Sequence, residues 1–354
     1  MYPALSIAQA LGANAGSVLW VGGENGMEVN LVQRAGLPFR GIPAAGLHGV
    51  GLKNLPGNLI QLIKGVSASR RILKDFHPDV LLFTGGYIAV PMALAGRSVP
   101  SLLYVPDIEP GLALKTLARY ADLIALTAEE SKQFFNQKKR MHVTGYPTRS
   151  DLSNWSKSDA LKKLGCADNK QTLLVLGGSK GAHSINRALF PILPQLLNFC
   201  QIIHISGELD HEEAVIVQSA LNPAQKKDYH LFPYLHEEMG AALTAADLVV
   251  SRAGASILGE YPLFGLPAVL APYPYAWRYQ KVNADFLVKH GAAVIVKNEN
   301  LQDELLPSVM HLLLHPDELN RMSTTTKALA RPDAAKKLAN LVLSLVPKGA
   351  PARG

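Results

Sequence analysis

The chain has 354 residues, 48% of them hydrophobic and only 18% charged, which is apolar mass enough for two domains and excludes a disordered polyelectrolyte. Two cysteines, Cys166 and Cys200, exclude a disulfide framework or a cysteine metal cluster and favour a reducing cytoplasmic compartment, while no export signal opens the chain and no apolar run reaches the roughly 18 residues of a membrane span. A net charge of +7 favours anionic partners such as nucleotides, pyrophosphates or anionic lipid, and the lack of zinc-finger spacing, RNP-like aromatics or a long Lys/Arg block argues against nucleic acid.

Apolar β-rich runs alternate with helical patterns along the chain, the rhythm of parallel sheets covered by helices. Met1-Tyr2-Pro3 leads straight into a helix over Ala4–Leu11, and the first expected strand is Ser17–Val21. In a doubly wound domain a central strand and a phosphate-type turn should precede that helix. The expectation is therefore a first domain with a gap beside unpaired ladder groups, or a true start upstream. A helix over Leu59–Phe76 follows. It carries Leu59, Leu62, Ile63 and Val66 at helical spacing, with Lys53, Lys64, Arg70, Arg71 and Lys74 around them. One reading is a buried face with a solvated basic side. The other is a face for an anionic membrane surface.

Strands are expected at Val80–Phe83 and Ser101–Tyr104. Gly85-Gly86-Tyr87 forms a glycine turn after the first, and Asp107 and Glu109 follow the second. Carboxylates at strand ends suit general bases, although loop carboxylates more commonly cap turns. A helix over Pro110–Tyr120 and strands Leu123–Leu126 and His142–Val143 complete the first half. The pattern changes near Gly145–Arg149, which reads as a linker.

The second half opens on its most informative stretch, LLVLGGSKGAHS. A buried strand, Thr172–Leu176, runs into Gly177-Gly178-Ser179-Lys180-Gly181 and then a helix over Ser184–Phe199. Free N–H groups and the positive helix end suit a diphosphate there, and Ser179 adds a hydroxyl; many such turns are glycine-rich for packing alone. Strands Gln201–Ile205, Tyr229–Phe232 and Leu248–Val250 follow. The last leads into Ser251-Arg252-Ala253-Gly254-Ala255-Ser256 and a helix over Ala255–Phe264. This is either a capped glycine turn or a second set of donors for a nucleotide. Glu260, on that helix, is either a solvated face or an acceptor for two ribose hydroxyls. After strand Ala268–Leu270, the helix Gln280–His290 offers Gln280 and Asn283, whose amides suit sugar hydroxyls as well as an ordinary amphipathic helix. Strand Ala293–Val296 and a last helix near Asp333–Leu345 end the pattern. The divisions are thus 1–147, 148–332, a C-terminal helix 333–346 and a disordered tail 347–354, with ligand expected in a cleft beyond the strand ends.

With these residues in hand, the chain resembles the MurG family of bacterial N-acetylglucosaminyltransferases and its GT-B relatives. YPALSIAQAL (2–11), GGYIAVPMALA (85–95), VTGYPTR (143–149), LLVLGGSKGAHSIN (173–186), SRAGAS (251–256), GEYPLFGLPAVLAPYP (259–274) and QKVNA (280–284) carry the resemblance, in family order. It implies an α/β GT-B fold of two Rossmann-like doubly wound domains. It also implies an inverting transfer of GlcNAc from UDP-GlcNAc to the muramic acid 4-hydroxyl of a polyprenyl-pyrophosphate-linked acceptor, lipid I, in peptidoglycan synthesis. No tightly bound cofactor or metal is implied. The enzyme would work in the cytoplasm, peripheral on the inner face of the cell membrane.

The resemblance places the donor on Arg149, Gly178, Ser179, Gly181, Arg252, Gly254, Ala255, Ser256, Glu260, Gln280 and Asn283. Glu260 would hold ribose, Ser179 and Arg252 would lie near uracil and diphosphate, and Gln280 would contact GlcNAc. Gly85, Gly86 and Tyr87 would face the acceptor, and Leu59, Leu62, Ile63 and Lys64 the membrane. The chain departs from the family in four places. The first strand and GGTGGH loop are absent. The HEQN segment reads Tyr104-Val105-Pro106-Asp107. Trp277 and Tyr279 replace common residues of the donor helix, and Ile257 replaces a threonine. The donor half is therefore largely intact and the acceptor half altered, which leaves Asp107 as the expected base, with Glu109 second. Alternatives are a GT-B transferase for another lipid or small acceptor, a non-catalytic UDP-sugar-binding relative, and a UDP-GlcNAc epimerase of the same architecture.

Overall fold

The computed structural model describes residues 1–24, 26, 28–43, 55–177, 182–274 and 279–347. The chain divides into two units. One is Met1–Arg149 together with the segment from Asp333 onward, and the other is Ser150–Pro332.

The first unit runs α1 (Tyr2–Leu11), β1 (Trp20–Gly23), α2 (Val29–Arg34), β2 (Phe39–Ile42), α3 (Leu55–Phe76), β3 (Leu81–Phe83), α4 (Ala89–Ala95), β4 (Ser101–Val105), α5 (Leu112–Leu117), β5 (Leu123–Leu126) and β6 (Arg140–Val143). Its strands lie in two parallel sheets, β1-β2 and β3-β4-β5-β6. Among the described residues, no ladder pairing joins the two sheets. Both sheets still feed one core, since Val21 packs with Phe83, Leu103 and Ile124. The first strand starts three residues later than expected because pairing begins at Trp20↔Phe39. Gly22 lies under the Phe39 ring, which would stand 2.6 Å from a Cβ there, so glycine serves close packing inside the strand. β2 escaped the sequence reading because a four-residue strand with Arg40 and Gly41 exposed carries no apolar run.

The second unit runs α6 (Lys157–Leu164), β7 (Thr172–Leu176), α7 (His183–Leu196), β8 (Gln201–Ile205), α8 (His211–Ala220), α9 (Pro223–Asp228), β9 (Tyr229–Phe232), α10 (Met239–Ala245), β10 (Leu248–Ser251), α11 (Ile257–Phe264), β11 (Ala268–Leu270), α12 (Tyr279–Lys289), β12 (Ala293–Ile295), α13 (Leu301–Leu314) and α14 (Pro316–Ala328). One parallel sheet, in the order β12-β11-β10-β7-β8-β9, holds all six strands. From β7 the chain winds outward through β8 and β9, then returns beside β7 as β10 and winds the other way. β7 and β10 are thus the switch point, where the C-terminal strand ends open a crevice for ligands. Both are buried because helices cover both faces, which is why they read as unbroken apolar runs.

The last helix, α15 (Ala334–Ser344), returns to the first unit. Its Leu338 and Ala339 join Ile7, Leu11, Leu102, Tyr104 and Leu123 in one cluster. The C-terminal helix set apart by the sequence pattern is therefore part of the first unit's core. Among the described residues, no helix is long and apolar enough to cross a membrane.

Candidate functional site

Among the expected donor residues of the second unit, Arg252, Gly254, Ala255, Ser256 and Glu260 follow β10 at the switch point. Gly178, Ser179 and Gly181 lie outside the described residues. β10 delivers the second turn directly: it ends at Ser251, and Arg252 through Ser256 lead into α11. Three buried side chains shape this turn. The Tyr261 hydroxyl donates to Ser251 Oγ at 2.7 Å, and Ser251 Oγ donates to the Arg252 carbonyl at 2.9 Å. Asn283, fully buried on α12, donates through Nδ2 to the Ala253 carbonyl at 3.2 Å. Asn283 therefore holds the turn, and its burial takes it out of reach of a sugar hydroxyl. Above Gly254 the space is open, with nothing within 4 Å of where a Cβ would stand, so a ligand can approach its backbone.

Arg252 is a strut. Its Nη1 donates to the Ala271 carbonyl at 2.8 Å and to Asn298 Oδ1 at 2.9 Å, and its Nη2 to Ser184 Oγ at 2.5 Å. The guanidinium also lies 5.2 Å from the Tyr273 ring centroid. Burial lowers its pKa from the ordinary value, and the guanidinium stays charged at any physiological pH. One side chain thus ties the exits of β10, β11 and β12 to the first turn of α7.

Glu260 is half-buried one turn into α11, with its N–H on the Ser256 carbonyl at 2.8 Å. Gly265 ends that helix in the left-handed region (φ 63°), where a side chain would be strained. Gln280 Oε1 accepts the Tyr273 N–H at 2.8 Å, so its amide presents the donor end, Nε2, on the other side. Arg149 closes the first unit, its guanidinium 5.0 Å from the Tyr2 ring centroid.

In the first unit, β3 ends in the glycine turn. Gly85 and Gly86 have φ of 107° and 88°, a conformation that requires glycine, and they carry Tyr87 out to 56% exposure. β4 ends at Val105, and the bend that follows holds Asp107 and Glu109. Thr127 fixes this bend: its Oγ1 lies 3.0 Å from the Val105 carbonyl, 2.9 Å from that of Pro106 and 2.8 Å from the Tyr104 hydroxyl. Tyr104 is wholly buried, and burial raises its phenol pKa well above the usual value. The two carboxylates differ. Glu109 is buried with Lys115 Nζ 3.4 Å away, whereas Asp107 is only half-buried. Thr127 had no sequence signal, because its role depends on β5 lying beside β4.

On α3, Leu59, Ile60 and Ile63 are 52%, 54% and 62% exposed, an apolar patch continued by exposed Lys64, Arg70, Arg71 and Lys74. Leu62 is half-buried, whereas Ile60 is exposed. Lys53 lies outside the described residues. Among the described residues, no group of three or more His, Cys, Asp or Glu is placed to hold a metal ion.

Comparison with known proteins places the chain in a family. The profile described as the glycosyltransferase family 28 N-terminal domain matches residues 1–126, and that of the family 28 C-terminal domain matches 172–338. A Roseiflexus protein named UDP-N-acetylglucosamine--N-acetylmuramyl-(pentapeptide) pyrophosphoryl-undecaprenol N-acetylglucosamine transferase is 40% identical over 409 aligned positions, covering 98% of this chain and 92% of its own. Among solved structures, Acinetobacter baumannii MurG superposes with a TM-score of 0.76 at 25% identity, covering 97% of this chain and 95% of its own. A Neisseria meningitidis UDP-GlcNAc 2-epimerase bound to UDP-GlcNAc shares the fold, with a TM-score of 0.66 at 14% identity, over 97% of this chain and 96% of its own.

Proposed function

This chain belongs to glycosyltransferase family 28, within it to the MurG type of UDP-GlcNAc-dependent hexosyltransferase, and we propose that it converts lipid I to lipid II. GlcNAc moves from UDP-GlcNAc to the 4-hydroxyl of the muramic acid of undecaprenyl-pyrophosphoryl-MurNAc-pentapeptide, a step of peptidoglycan synthesis. The observation that carries this reading is the switch point, where a glycine turn shaped by buried side chains opens beside the end of β7.

The reaction is an inverting displacement at the anomeric carbon. UDP leaves as the acceptor oxygen attacks from the opposite face. Negative charge grows on the diphosphate and is met by backbone N–H groups of the two turns, by the positive end of α7 and by the hydroxyls of Ser179 and Ser256. Glu260 accepts from the ribose hydroxyls. Gln280 presents Nε2 to an oxygen of the sugar. Arg252 acts through the turn it braces, and Arg149 is a further proposed donor-binding residue. Asp107 takes the proton from the attacking hydroxyl. Asp107 is half-buried, whereas Glu109 is buried beside Lys115. Gly85, Gly86 and Tyr87 line the acceptor's approach.

The lipid-linked acceptor lives in a membrane, so the enzyme must meet one. Leu59, Ile60 and Ile63 dip into the interface on the cytoplasmic face, and the neighbouring Lys and Arg side chains meet anionic headgroups. The test is transfer of radiolabel from UDP-GlcNAc to a short-chain lipid I analogue. Labelled disaccharide lipid supports the reading. Sugar conversion without acceptor would replace it with an epimerase, and donor binding without transfer would point to another acceptor.

A further inference from the structure

The first turn of α7 follows the glycine loop, and no side chain caps its N-terminus. Three of its residues are pinned from elsewhere in the fold. On one side, His183 Nδ1 and Asn186 Nδ2 lie 2.8 and 2.7 Å from the two carboxylate oxygens of Asp210. Asn186 Nδ2 also donates to the Ser206 carbonyl at 2.8 Å, which fixes the amide and turns its Oδ1 to His204 Nε2, 3.0 Å away. His204 therefore carries its proton on Nε2, and its Nδ1 accepts from the Tyr229 hydroxyl at 2.6 Å. Burial pushes the His204 imidazole down to about 3, consistent with this neutral form. Every polar contact in this row has one possible direction.

On the other side, Ser184 Oγ donates to Asn298 Oδ1 at 2.8 Å and accepts from Arg252 Nη2. The same Asn298 oxygen accepts from Arg252 Nη1. Asp210 follows β8 and Asn298 follows β12, so the turn is gripped from both flanks of the switch point. A turn held in place before the ligand arrives does not spend binding energy on being ordered.

We infer that Asp210 and Asn298 are positioning residues for nucleotide-sugar binding, acting through His183, Asn186, Ser184 and Arg252 to hold the first turn of α7 for the donor's diphosphate. The inference rests on the UDP-GlcNAc reading and reaches residues outside the glycine motifs.

The experiment measures UDP binding by calorimetry and steady-state kinetics with UDP-GlcNAc and the lipid I analogue, with melting followed on the same samples. Asn298→Ala strips Ser184 and Arg252 of a shared acceptor, and it is expected to raise the UDP Kd and the UDP-GlcNAc KM about 10-fold, with kcat and acceptor KM held within about twofold. Asn298→Asp keeps acceptor oxygens and is expected to return both donor constants to within about twofold of wild type. Asp210→Asn offers one acceptor oxygen where two are used, and a rise of about threefold is expected. Unchanged UDP affinity in Asn298→Ala, with or without a lower melting temperature, overturns the inference, as does a loss that Asn298→Asp fails to restore. Should the wild type bind no UDP, the donor reading falls and takes the inference with it; if the wild type and Asn298→Ala bind UDP equally, the inference alone falls.

Discussion

The second unit builds its site on one unbroken six-stranded sheet, whereas the first divides six strands between a four-stranded sheet and a two-stranded ribbon. At the switch point, buried polar side chains from several elements converge on the turns that would meet a ligand, and each of their contacts is satisfied within the fold. In the first unit, Thr127 holds the bend carrying Asp107 on its side towards β5. The contrast matches two tasks. A diphosphate is bound by rigid donors whose positions must not vary. An acceptor hydroxyl needs a base that it can reach, and Asp107 is half-buried.

The sharpest test of this contrast is Asp107. Asp107→Asn removes the proposed base and is expected to lower kcat by about 100-fold or more, with UDP affinity unchanged, whereas Glu109→Gln should cost far less turnover. A comparable loss of kcat in both variants would break the distinction between the two carboxylates. Glu260 probes the other half. Glu260→Ala is expected to lower kcat/KM for UDP-GlcNAc by roughly 30-fold through KM, because charge-assisted hydrogen bonds to ribose are lost. A change confined to kcat would move Glu260 away from the donor.

Ile63→Asp places a charge in the exposed patch of α3. Binding to vesicles of phosphatidylglycerol and phosphatidylethanolamine is expected to weaken about 10-fold, with no change in melting temperature. Equal partitioning of variant and wild type would remove α3 from the membrane.

The smallest effect is on stability. His204 is neutral in the native state, with its pKa near 3, while the unfolded chain protonates a histidine near pH 6.5. Between these values the unfolded state holds more protons, so this residue's share of stability is full above about pH 6.5 and is lost as pH falls towards 3. The melting temperature of the wild type should therefore drop more steeply on acidification than that of His204→Gln. Parallel curves would mean that the buried row is not held in the form its hydrogen bonds require.

Much of this was legible in the residues. Leu173–Leu176 and Leu248–Val250 are apolar throughout because both sheet faces are covered, and a glycine-containing turn follows the second of them. What escaped was non-local. Arg252 reads as a cation free for a diphosphate until Ser184 and Asn298, 68 and 46 residues away, are brought to its guanidinium. Asn283 reads as a sugar ligand or as part of an ordinary amphipathic helix until α12 packs it under Ala253. Leu62, expected on the exposed face, is half-buried, because the face a helix buries depends on the neighbour it meets.

The sequence by itself determined the α/β rhythm, the two-domain division, the family and the positions of the glycine turns, since these follow from local patterns of apolar residues and backbone freedom. Only the tertiary structure decided the order of strands at the switch point, the return of α15 to the first unit and which polar side chains brace a turn. Those outcomes depend on partners distant in the chain, and a buried polar group takes its role from the partner that satisfies it.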